Sequence, residues 1–472
     1  MKMLIAGEWV DREEKIEVVN PFTGAIVDSV PRGKDSDVKR AVESALKGLE
    51  EMKSLSSYER YEILKRTSEL LREYQERLAR TITQEVGKTI TEARREVDRS
   101  IQTFLWASEE AKRIYGETVP FDAQPGGETK MGFYIRVPVG VIGAITPFNF
   151  PLNLVSHKLA PAFAASNAVV LKPAAQTPLS AIQLGELLLL AGLPHQALQI
   201  VTGFGEEAGE ALVKDPRVRM ITFTGSMETG ERITAMAGLK KVTLELGSNS
   251  ACIVMKDGDL ERAAERISRG GFSLAGQTCI SVQRVFVEEE VFDEFLRILV
   301  SKVKRLKVGD PEDESTDVGP MIDEASAKRV EEWVNEVVGA TGRSPILGGD
   351  RKVNLFHPTL LTDVPKESRI FSKEVFAPVV AINRFKTLEE AIEHVNDSPY
   401  GLQAGIFTRN LKEAFEAARK IEVGGVMINE IPTFRADHMP YGGVKGSGFG
   451  REGPRYAVEE MTELRLISFE LG

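Results

Sequence analysis

The sequence predicts an α/β protein with two lobes, each built on a largely parallel sheet, and a small β arm. Short apolar runs alternate with helical segments along most of the 472 residues, which is typical of βαβ units. The alternation is interrupted near residue 247 and then resumes, so we expect a second lobe to begin there. Two further strands lack a sheet of their own, and exposed strand edges favour pairing with another subunit.

Three amphipathic helices are predicted before the first sheet. Residues 36–52 place valine, alanine and leucine side chains on one helical face. The second helix begins with the capping box "SSYE", Ser56 to Glu59, and continues into the eighties. Its charged face is expected to face solvent. The third helix is predicted over 92–115 and carries Arg99.

The apolar runs are predicted to form the strands of the two sheets. In the first lobe these runs cover 139–145, 168–172, 197–201, 220–224 and 241–246. In the second lobe they are "ACIVM", "RVFVEE", "VVAINRF", "LQAGIFT" and "GGVMIN". The arm is predicted from a hairpin over 118–137, which turns at "PGG", and from the C-terminal strand "ELRLISFEL". The resulting boundaries are 1–117 and 138–246 for the first lobe, 247–439 for the second lobe, and 118–137 and 440–472 for the arm.

Composition and charge argue against several classes of protein. With 60 basic and 70 acidic side chains the net charge is −10, whereas a nucleic-acid-binding protein needs a basic face. The two cysteines, Cys252 and Cys279, cannot build a disulfide framework, and no Cys/His cluster has the spacing of a zinc site, so no metal is expected. The N-terminal apolar run is too short for a signal peptide, and the longest apolar stretch, 184–193, is too short to span a bilayer. We therefore expect a cytoplasmic protein that binds neither nucleic acid nor a membrane.

The stretch "FSLAGQTCISVQR", residues 272–284, contains Cys279. By itself, a lone cysteine is more often a small buried apolar residue than a nucleophile. A catalytic cysteine needs a proton acceptor and a group that stabilises an oxyanion. None of the five histidines lies in the sequence setting of a cysteine protease, but Glu245 ends a predicted buried strand, where a charged group is unusual unless it is functional. Asn149 in "TPFNFP" follows another strand end, and its amide can donate to an oxyanion.

Two glycine-containing segments are candidates for phosphate binding, because open α/β sheets bind ligands at the carboxyl ends of their strands. The segment "GFGEEAG", 203–209, departs from the GxGxxG pattern by one residue, so a plain turn before a helix is at least as good an interpretation. The segment "FTGSMETG", 223–230, is better placed, since a strand ends and a helix begins around Gly225 and Ser226. The free N–H groups at such a helix start bind phosphate.

Taken together, these motifs resemble those of the aldehyde dehydrogenase superfamily, the NAD(P)-dependent, non-phosphorylating enzymes. The resemblance covers nearly the whole chain and is closest to members that act on lactaldehyde, glyceraldehyde 3-phosphate or succinate semialdehyde. It rests on the order and spacing of "TPFNFP", "VVLKPAAQTP", "FTGSMETG", "LELGSN", "GQTCISVQRV", "EVFAPVV" and "PYGGVKGSGFGRE". It implies a Rossmann-like cofactor domain, an α/β catalytic domain and a β oligomerisation arm, which correspond to the two lobes and the arm above.

The resemblance also implies a mechanism. Cys279 attacks the aldehyde to give a thiohemiacetal, whose oxyanion is held by the Asn149 side chain and the Cys279 backbone N–H. A hydride passes to the nicotinamide, and Glu245 then activates water to hydrolyse the thioester. Cys252, inside a predicted strand, is expected to be a buried apolar residue.

A dinucleotide site follows from the same resemblance. Lys172 is expected at the adenosine ribose, Ser226 at the pyrophosphate and Glu374 at the nicotinamide ribose. The alternative for Glu374 is an ordinary surface carboxylate. Phe376 is expected to pack near the nicotinamide. Glu452 is a candidate proton relay, and an ordinary carboxylate without a catalytic role is the alternative for it as well. The other residues expected at the cofactor are Thr146, Pro147, Phe148, Ala175, Gly205, Gly225, Thr229 and Leu246.

The position of Ala175 bears on the choice between NADP and NAD. NAD-preferring relatives often carry a glutamate there, three residues after Lys172, which binds both ribose hydroxyls. Without that carboxylate a 2′-phosphate meets no repulsion, and Lys172 can pair with it. We expect NADP use, and use of NAD or of both cofactors remains open.

The substrate is expected to be a small anionic or hydroxylated aldehyde. Arg99, Arg284 and Arg435 are candidates for a basic pocket, since several guanidinium groups can grip one anion. Two alternatives remain: a CoA-acylating enzyme, which would not need Glu245 as a base, and a binding or structural protein that kept the fold without the chemistry. A homo-oligomer, either a dimer or a tetramer, is expected.

Overall fold

The computed structural model describes residues 1–472. Its helices are α1 Asp35–Ser54, α2 Ser57–Glu73, α3 Gln75–Val86, α4 Ile90–Ala111, α5 Asn153–Ala164, α6 Leu179–Leu190, α7 Glu210–Lys214, α8 Met227–Ala237, α9 Leu260–Gly270, α10 Phe292–Val303, α11 Glu324–Thr341, α12 Arg369–Ser372, α13 Leu388–Asn396, α14 Leu411–Lys420 and α15 Pro454–Glu460. Its strands are β1 Met3–Ile5, β2 Glu8–Val10, β3 Lys15–Val19, β4 Ile26–Pro31, β5 Glu117–Val119, β6 Lys130–Pro138, β7 Val141–Ile145, β8 Ala168–Lys172, β9 Leu198–Ile200, β10 Met220–Thr224, β11 Lys241–Glu245, β12 Ala251–Val254, β13 Arg284–Glu288, β14 Arg351–Lys352, β15 Leu355–Phe356, β16 Thr359–Thr362, β17 Val379–Phe385, β18 Gln403–Phe407, β19 Gly425–Ile428, β20 Gly448–Phe449 and β21 Thr462–Glu470.

The first lobe contains a sheet with the strand order β2-β1-β9-β8-β7-β10-β11-β20. Its central strands, from β9 to β11, run parallel and correspond to the five predicted apolar runs. Ile142 and Ala144 of β7 pack with α2 to α6, whereas Val141 and Ile145 pack with α1, α7 and α8. Both faces of the sheet are therefore buried, which explains why its central strands are apolar throughout.

The second lobe contains a parallel sheet in the order β16-β17-β13-β12-β18-β19. Its core joins this sheet to α9, α10, α11 and α13, and it includes the fully buried Cys252. A separate antiparallel sheet, β21-β6-β5, contains both predicted arm segments. The α/β fold class with two parallel sheets is thus confirmed. None of the helices combines the length and the apolar character that a bilayer crossing requires.

The N-terminal region differs from the prediction in two places. Strands β1 and β2 extend the first sheet, and β3 pairs with β4, none of which was expected. The helix predicted from Ser56 into the eighties is two helices, because the chain leaves helical geometry at Tyr74 (φ −98°, ψ 16°). The predicted capping box is present: Ser56 Oγ accepts a hydrogen bond from Glu59 N at 3.2 Å.

The segment 440–472, assigned as a whole to the arm, divides between the arm and the first lobe. Strand β21 pairs with β6, but β20 pairs antiparallel with the end of β11 and places Gly448 opposite Glu245. Gly448 has a φ of 106°, and an added Cβ would collide with the backbone of Leu244, so only glycine permits this approach. The C-terminal segment is thereby held against the strand end that carries Glu245.

A left-handed turn precedes Cys279. Leu274, Ala275 and Gly276 have φ values of 50°, 51° and 70°. An added Cβ at Gly276 would collide with the carbonyl oxygen of Ala377, which lies just before β17. This close approach fixes the loop that leads to Cys279 against the interior of the second lobe.

We expect Gly276→Ala to destabilise the protein by at least ~2 kcal/mol, because the new methyl group meets the Ala377 carbonyl and alanine disfavours the left-handed backbone. Gly339→Ala is the matched control. Gly339 lies exposed in α11 with open space around its Cβ position, so alanine there should be neutral or should stabilise by up to about 1 kcal/mol. Urea unfolding followed by circular dichroism measures both variants, and equal midpoints would contradict the expected collision.

Candidate active site

The predicted cofactor residues of the first lobe lie at one edge of its sheet, where the neighbouring strands β8, β7, β10 and β11 end. Hydrogen bonds join the loops that follow them: Thr146 N donates to Lys172 O (3.3 Å), and Gly225 N donates to Glu245 O (3.1 Å). Open α/β sheets bind ligands at this edge. The loops and the helix starts beyond these strands contain Thr146, Pro147, Phe148, Lys172, Ala175, Gly225, Ser226, Thr229 and Leu246.

Lys172 ends β8 beside an open stretch of backbone. Its ammonium group donates to Pro173 O (3.0 Å), and burial lowers its pKa to about 8, opposed by the carboxylate of Glu206. No atom lies within 4 Å of an added Cβ at Gly205. Ala175 is half-buried and adds no charge. A cation next to open backbone fits a ribose or a phosphate group.

Aromatic and hydroxyl side chains also lie at this edge of the first-lobe sheet. Ser226 is the N-cap of α8, where its Oγ accepts from Thr229 N at 3.3 Å. The hydroxyl of Thr146 is buried without a protein partner, which leaves it available to a ligand. Phe148 and Phe376 lie edge to face with ring centroids 5.9 Å apart.

Glu374 of the second lobe faces the same region and is not a surface carboxylate. Its Oε1 accepts from Ser248 N at 3.0 Å, and an added Cβ at Gly247 would collide with the carboxylate. Burial raises the pKa of Glu374 to about 8, and the Glu245 carboxylate adds to this shift. A half-buried carboxylate with a single protein donor suits hydroxyl groups of a ribose. Together with the unpartnered Thr146 hydroxyl, it makes this region fit a nicotinamide dinucleotide.

A cavity of about 270 Å³ lies between helices α4 and α5 of the first lobe and the segments 273–280 and 433–441. Cys279 is half-buried and lines it. Cys279 Sγ lies 3.1 Å from the hydroxyl oxygen of Tyr441, which donates to Glu245 Oε1 at 3.3 Å. The structure thus brings the predicted nucleophile and the predicted base to one hydroxyl group.

Two donors lie on or beside the segment that leads to Cys279. Asn149 Nδ2 donates one hydrogen to Gln277 O at 2.9 Å, which orients the amide and leaves its second N–H free. The backbone N–H of Cys279 donates to no protein acceptor. Burial and then the Glu245 carboxylate raise the pKa of the Cys279 thiol, whereas the hydrogen bond with Tyr441 lowers it. The thiol is therefore neutral at rest and needs a base before it can attack.

Two buried carboxylates near the cavity have opposite pKa shifts. Burial, and then the Glu452 carboxylate, raise the pKa of Glu245 to about 7, opposed by Arg435. Glu452 accepts from Lys158 Nζ (3.1 Å) and Arg435 Nη2 (2.9 Å). Although burial opposes them, these cations hold the pKa of Glu452 well below its usual range. Glu452 stays ionised, and Glu245 can take up and release a proton near neutral pH.

Residues 9–467 match the model of the aldehyde dehydrogenase family. The chain belongs to the aldehyde dehydrogenase family. It is 51% identical over 469 residues to a 3-sulfolactaldehyde dehydrogenase of Priestia aryabhattai, with 99% of this chain and 98% of the relative covered.

Two solved structures are also similar to this aldehyde dehydrogenase. One is aldehyde dehydrogenase 21 from Physcomitrella patens in complex with the reaction product succinate, with a TM-score of 0.97, 41% identity and coverage of 99% and 98% of the two chains. The other is a glyceraldehyde-3-phosphate dehydrogenase from Methanocaldococcus jannaschii complexed with NADP, with a TM-score of 0.94, 41% identity and coverage of 98% and 100%. The activity of the chain is the NAD(P)-dependent oxidation of an aldehyde.

The three arginines predicted for the substrate pocket of this aldehyde dehydrogenase have different positions. Arg99 and Arg435 line the cavity, but each has a counter-ion: Arg99 pairs with Asp437 at 2.8 Å, and Arg435 with Glu452. The prediction for Arg284 was wrong. Arg284 begins β13, is buried, and donates to three backbone carbonyls of the second lobe, at Asn249, His394 and Val395. Its guanidinium stabilises chain segments instead of facing the cavity.

Three residues of the aldehyde dehydrogenase site were not singled out from the sequence. Arg95 lies on α4 one turn before Arg99, lines the cavity, and has no carboxylate partner. Arg95 precedes Arg99 by four residues, and residues at this spacing share one face of a helix, so the sequence held a signal for Arg95. Tyr441 stands inside the quoted motif "PYGGVKGSGFGRE", whereas nothing in the sequence marked Asp437.

We expect kcat to rise as the pH increases through about 7, because Glu245 must be ionised to accept a proton and its pKa is raised to that value. Glu245→Gln removes the titrating group, so the burst of reduced cofactor should be slowed, because the thiol loses its base, and the steady turnover that follows should stall. Stopped-flow absorbance with a short aldehyde measures the burst and the steady rate. Glu231→Gln, a change of an exposed carboxylate on α8, is the control and should keep the normal pH profile. Wild-type turnover by Glu245→Gln would exclude Glu245 as the base.

Proposed function

We propose that this chain oxidises a small anionic or hydroxylated aldehyde to its carboxylic acid with NADP⁺ or NAD⁺, through a covalent intermediate on Cys279. The observation that carries the proposal is one hydroxyl group: Tyr441, which lines the cavity together with Cys279, contacts both Cys279 Sγ and Glu245 Oε1. The Asn149 amide, which donates to Gln277 O two residues before Cys279, and the Cys279 backbone N–H each keep a free hydrogen. A thiol, a base and oxyanion donors are what acyl chemistry on an aldehyde requires.

In the first half of the proposed reaction the Cys279 thiol loses its proton to Glu245, and the sulfur bonds to the aldehyde carbon. The carbonyl oxygen becomes an oxyanion, which accepts hydrogen bonds from the Asn149 amide and the Cys279 N–H. When bound, the nicotinamide supplies the acceptor for the hydride that leaves this carbon. Lys172, Ser226 and Glu374 would hold the cofactor.

In the second half Glu245 takes a proton from water, whose oxygen attacks the thioester carbon. The carbon–sulfur bond breaks, the acid is released and the Cys279 thiolate is restored. Glu245 must release its proton between the two halves. The sequence suggested Glu452 as the relay, but Lys158 and Arg435 keep Glu452 ionised. We therefore propose that Glu452 acts on the pKa of Glu245 through its charge instead. A buried base with a pKa of about 7 supports hydrolysis over transfer to CoA, because thiolysis has no need for it.

The proposed substrate carries an anionic or hydroxylated end. The cavity of about 270 Å³ suits a short aldehyde, and Arg95 offers a cation that no carboxylate neutralises. The names of the three similar proteins refer to sulfolactaldehyde, succinate and glyceraldehyde 3-phosphate, all of which carry a negative charge. Arg99, which remains partly exposed to the cavity beside its partner Asp437, is the second candidate contact.

The proposed assembly is a homo-oligomer, a dimer or a tetramer, that forms through the arm. Strand β21 has a free edge, and its Leu464 and Leu466 are exposed, as are Met131 and Ile135 of β6. An exposed edge with apolar side chains favours pairing with a second copy. We also propose that the protein acts in the cytoplasm, where a catalytic thiol stays reduced.

We expect Ala175→Glu to weaken the binding of NADP by at least tenfold and to leave NAD binding unchanged or improved, since a new carboxylate repels a 2′-phosphate near Lys172. Fluorescence titration with each cofactor measures both dissociation constants. Gln176→Glu, the same charge on the exposed neighbouring residue, is the control and should affect the two cofactors equally. Equal effects of Ala175→Glu on NADP and NAD would mean that this position does not face the ribose.

Arg95→Gln should raise KM for succinate semialdehyde at least tenfold, because one charge-assisted contact contributes roughly 1.5–3 kcal/mol. It should leave KM for uncharged propionaldehyde unchanged. Arg113→Gln, on the exposed far side beyond the end of α4 and outside the cavity, is the matched control. Steady-state kinetics with the two aldehydes provides the comparison, and an unaltered preference between them in Arg95→Gln would remove Arg95 from the substrate site.

A further inference from the structure

Tyr441 lies between the Cys279 thiol and the Glu245 carboxylate. Its side chain is buried, and its hydroxyl contacts both Cys279 Sγ (3.1 Å) and Glu245 Oε1 (3.3 Å). A phenol hydroxyl can donate one hydrogen bond and accept another at the same time. Because it donates to Glu245, its lone pairs are available to the thiol hydrogen of Cys279.

Packing does not require this hydroxyl. The ring lies in a small apolar cluster with Ile280 and Leu402, where phenylalanine would fill the same space. The main chain of Tyr441 is fixed by two hydrogen bonds with Glu452, at 3.1 and 2.7 Å. The guanidinium of Arg435 lies 3.7 Å from the ring centroid, so a cation covers the ring face. This arrangement favours negative charge that develops on the phenol oxygen.

We propose that Tyr441 is a catalytic residue that carries the proton of Cys279 to Glu245. The Cys279 S–H bond breaks as its proton bonds to the Tyr441 oxygen. The Tyr441 O–H bond breaks at the same time, and that proton bonds to Glu245 Oε1. The electron pair left on sulfur forms the bond to the aldehyde carbon, and Tyr441 ends as a neutral phenol. The proposal rests on the proposed function, because it takes Cys279 as the nucleophile and Glu245 as the base.

The same hydroxyl serves the second half of the reaction. When the thioester carbon separates from sulfur, the Tyr441 O–H can donate to the departing thiolate. The charged groups that face this set are Glu245 at the end of β11, Lys158 on α5, and Arg435 and Glu452 on the C-terminal segment. The hydrogen bond with Tyr441 lowers the pKa of the Cys279 thiol against burial and Glu245, which is consistent with this role.

Tyr441→Phe tests the relay without removing packing volume. The first measurement is the rate of alkylation of Cys279 by iodoacetamide as a function of pH, followed by mass spectrometry, with the buried Cys252 as an internal unreactive reference. We expect the midpoint of this profile to rise by at least one pH unit. The second is the burst of reduced cofactor with propionaldehyde, which should slow at least tenfold at neutral pH and recover partly at high pH. Tyr58→Phe, at a largely exposed position on α2, is the control and should match the wild type in both measurements.

An alkylation midpoint and a burst rate in Tyr441→Phe equal to those of the wild type would overturn the relay. A merely structural role would lower the melting temperature or the yield without moving the alkylation midpoint. Failure of the proposed function gives a different result: the wild type itself would show no burst, and alkylation of Cys279 would leave any activity intact.

Discussion

The active site depends on one buried charge cluster, in which the Glu452 carboxylate lies between Lys158 and Arg435. Removing one partner from a buried pair costs roughly 3–5 kcal/mol, so each member requires the others. Because two cations neutralise Glu452, a second carboxylate, Glu245, can lie in the same enclosed space with a pKa of about 7. Without them the like charge of Glu452 would raise that pKa further and remove the base at neutral pH. The cluster therefore helps to set the pKa of Glu245, the proposed base.

The members of the cluster come from distant parts of the chain. Lys158 lies on α5, Glu245 ends β11, and Glu452 follows β20, which pairs with β11 opposite Glu245. The glycine at 448 permits this pairing, since a side chain there would meet the backbone of Leu244. Glu452 thus joins the cluster only when the C-terminal segment pairs with the sheet of the first lobe. The protonation state of Glu245 therefore depends on the fold of the C-terminal segment.

The sequence predicted the parallel strands well, because strands that are buried on both faces are continuous apolar runs. It missed β1 and β2, whose three residues each are too few for a periodic pattern, although β3, with alternating exposure, offered one. Cys279, Glu245 and Asn149 were identified because each departs from its local context and fits the family motifs. The direction in which a side chain points was harder to predict from the sequence. Arg284 donates to carbonyls 35 and 110 residues away, and no local signal states whether an arginine at a strand start faces a cavity or a core.

The segment 433–441 contributes both to the cavity and to the proposed activation of the thiol. Asp437 anchors this segment by accepting hydrogen bonds from Arg99 (2.8 Å), Asn153 (3.2 Å) and His157 (3.0 Å). Burial lowers the pKa of His157, so its neutral ring can donate to Asp437. Only three residues separate Asp437 from Tyr441, and each residue spans at most about 3.6 Å, so the contacts of Asp437 and the main-chain pair between Tyr441 and Glu452 constrain the same short segment. Under the proposed mechanism, a change in this segment that adapts the cavity to another aldehyde is therefore expected to affect the contact with Cys279 as well, whereas a change at Arg95, on α4, is expected to alter recognition alone.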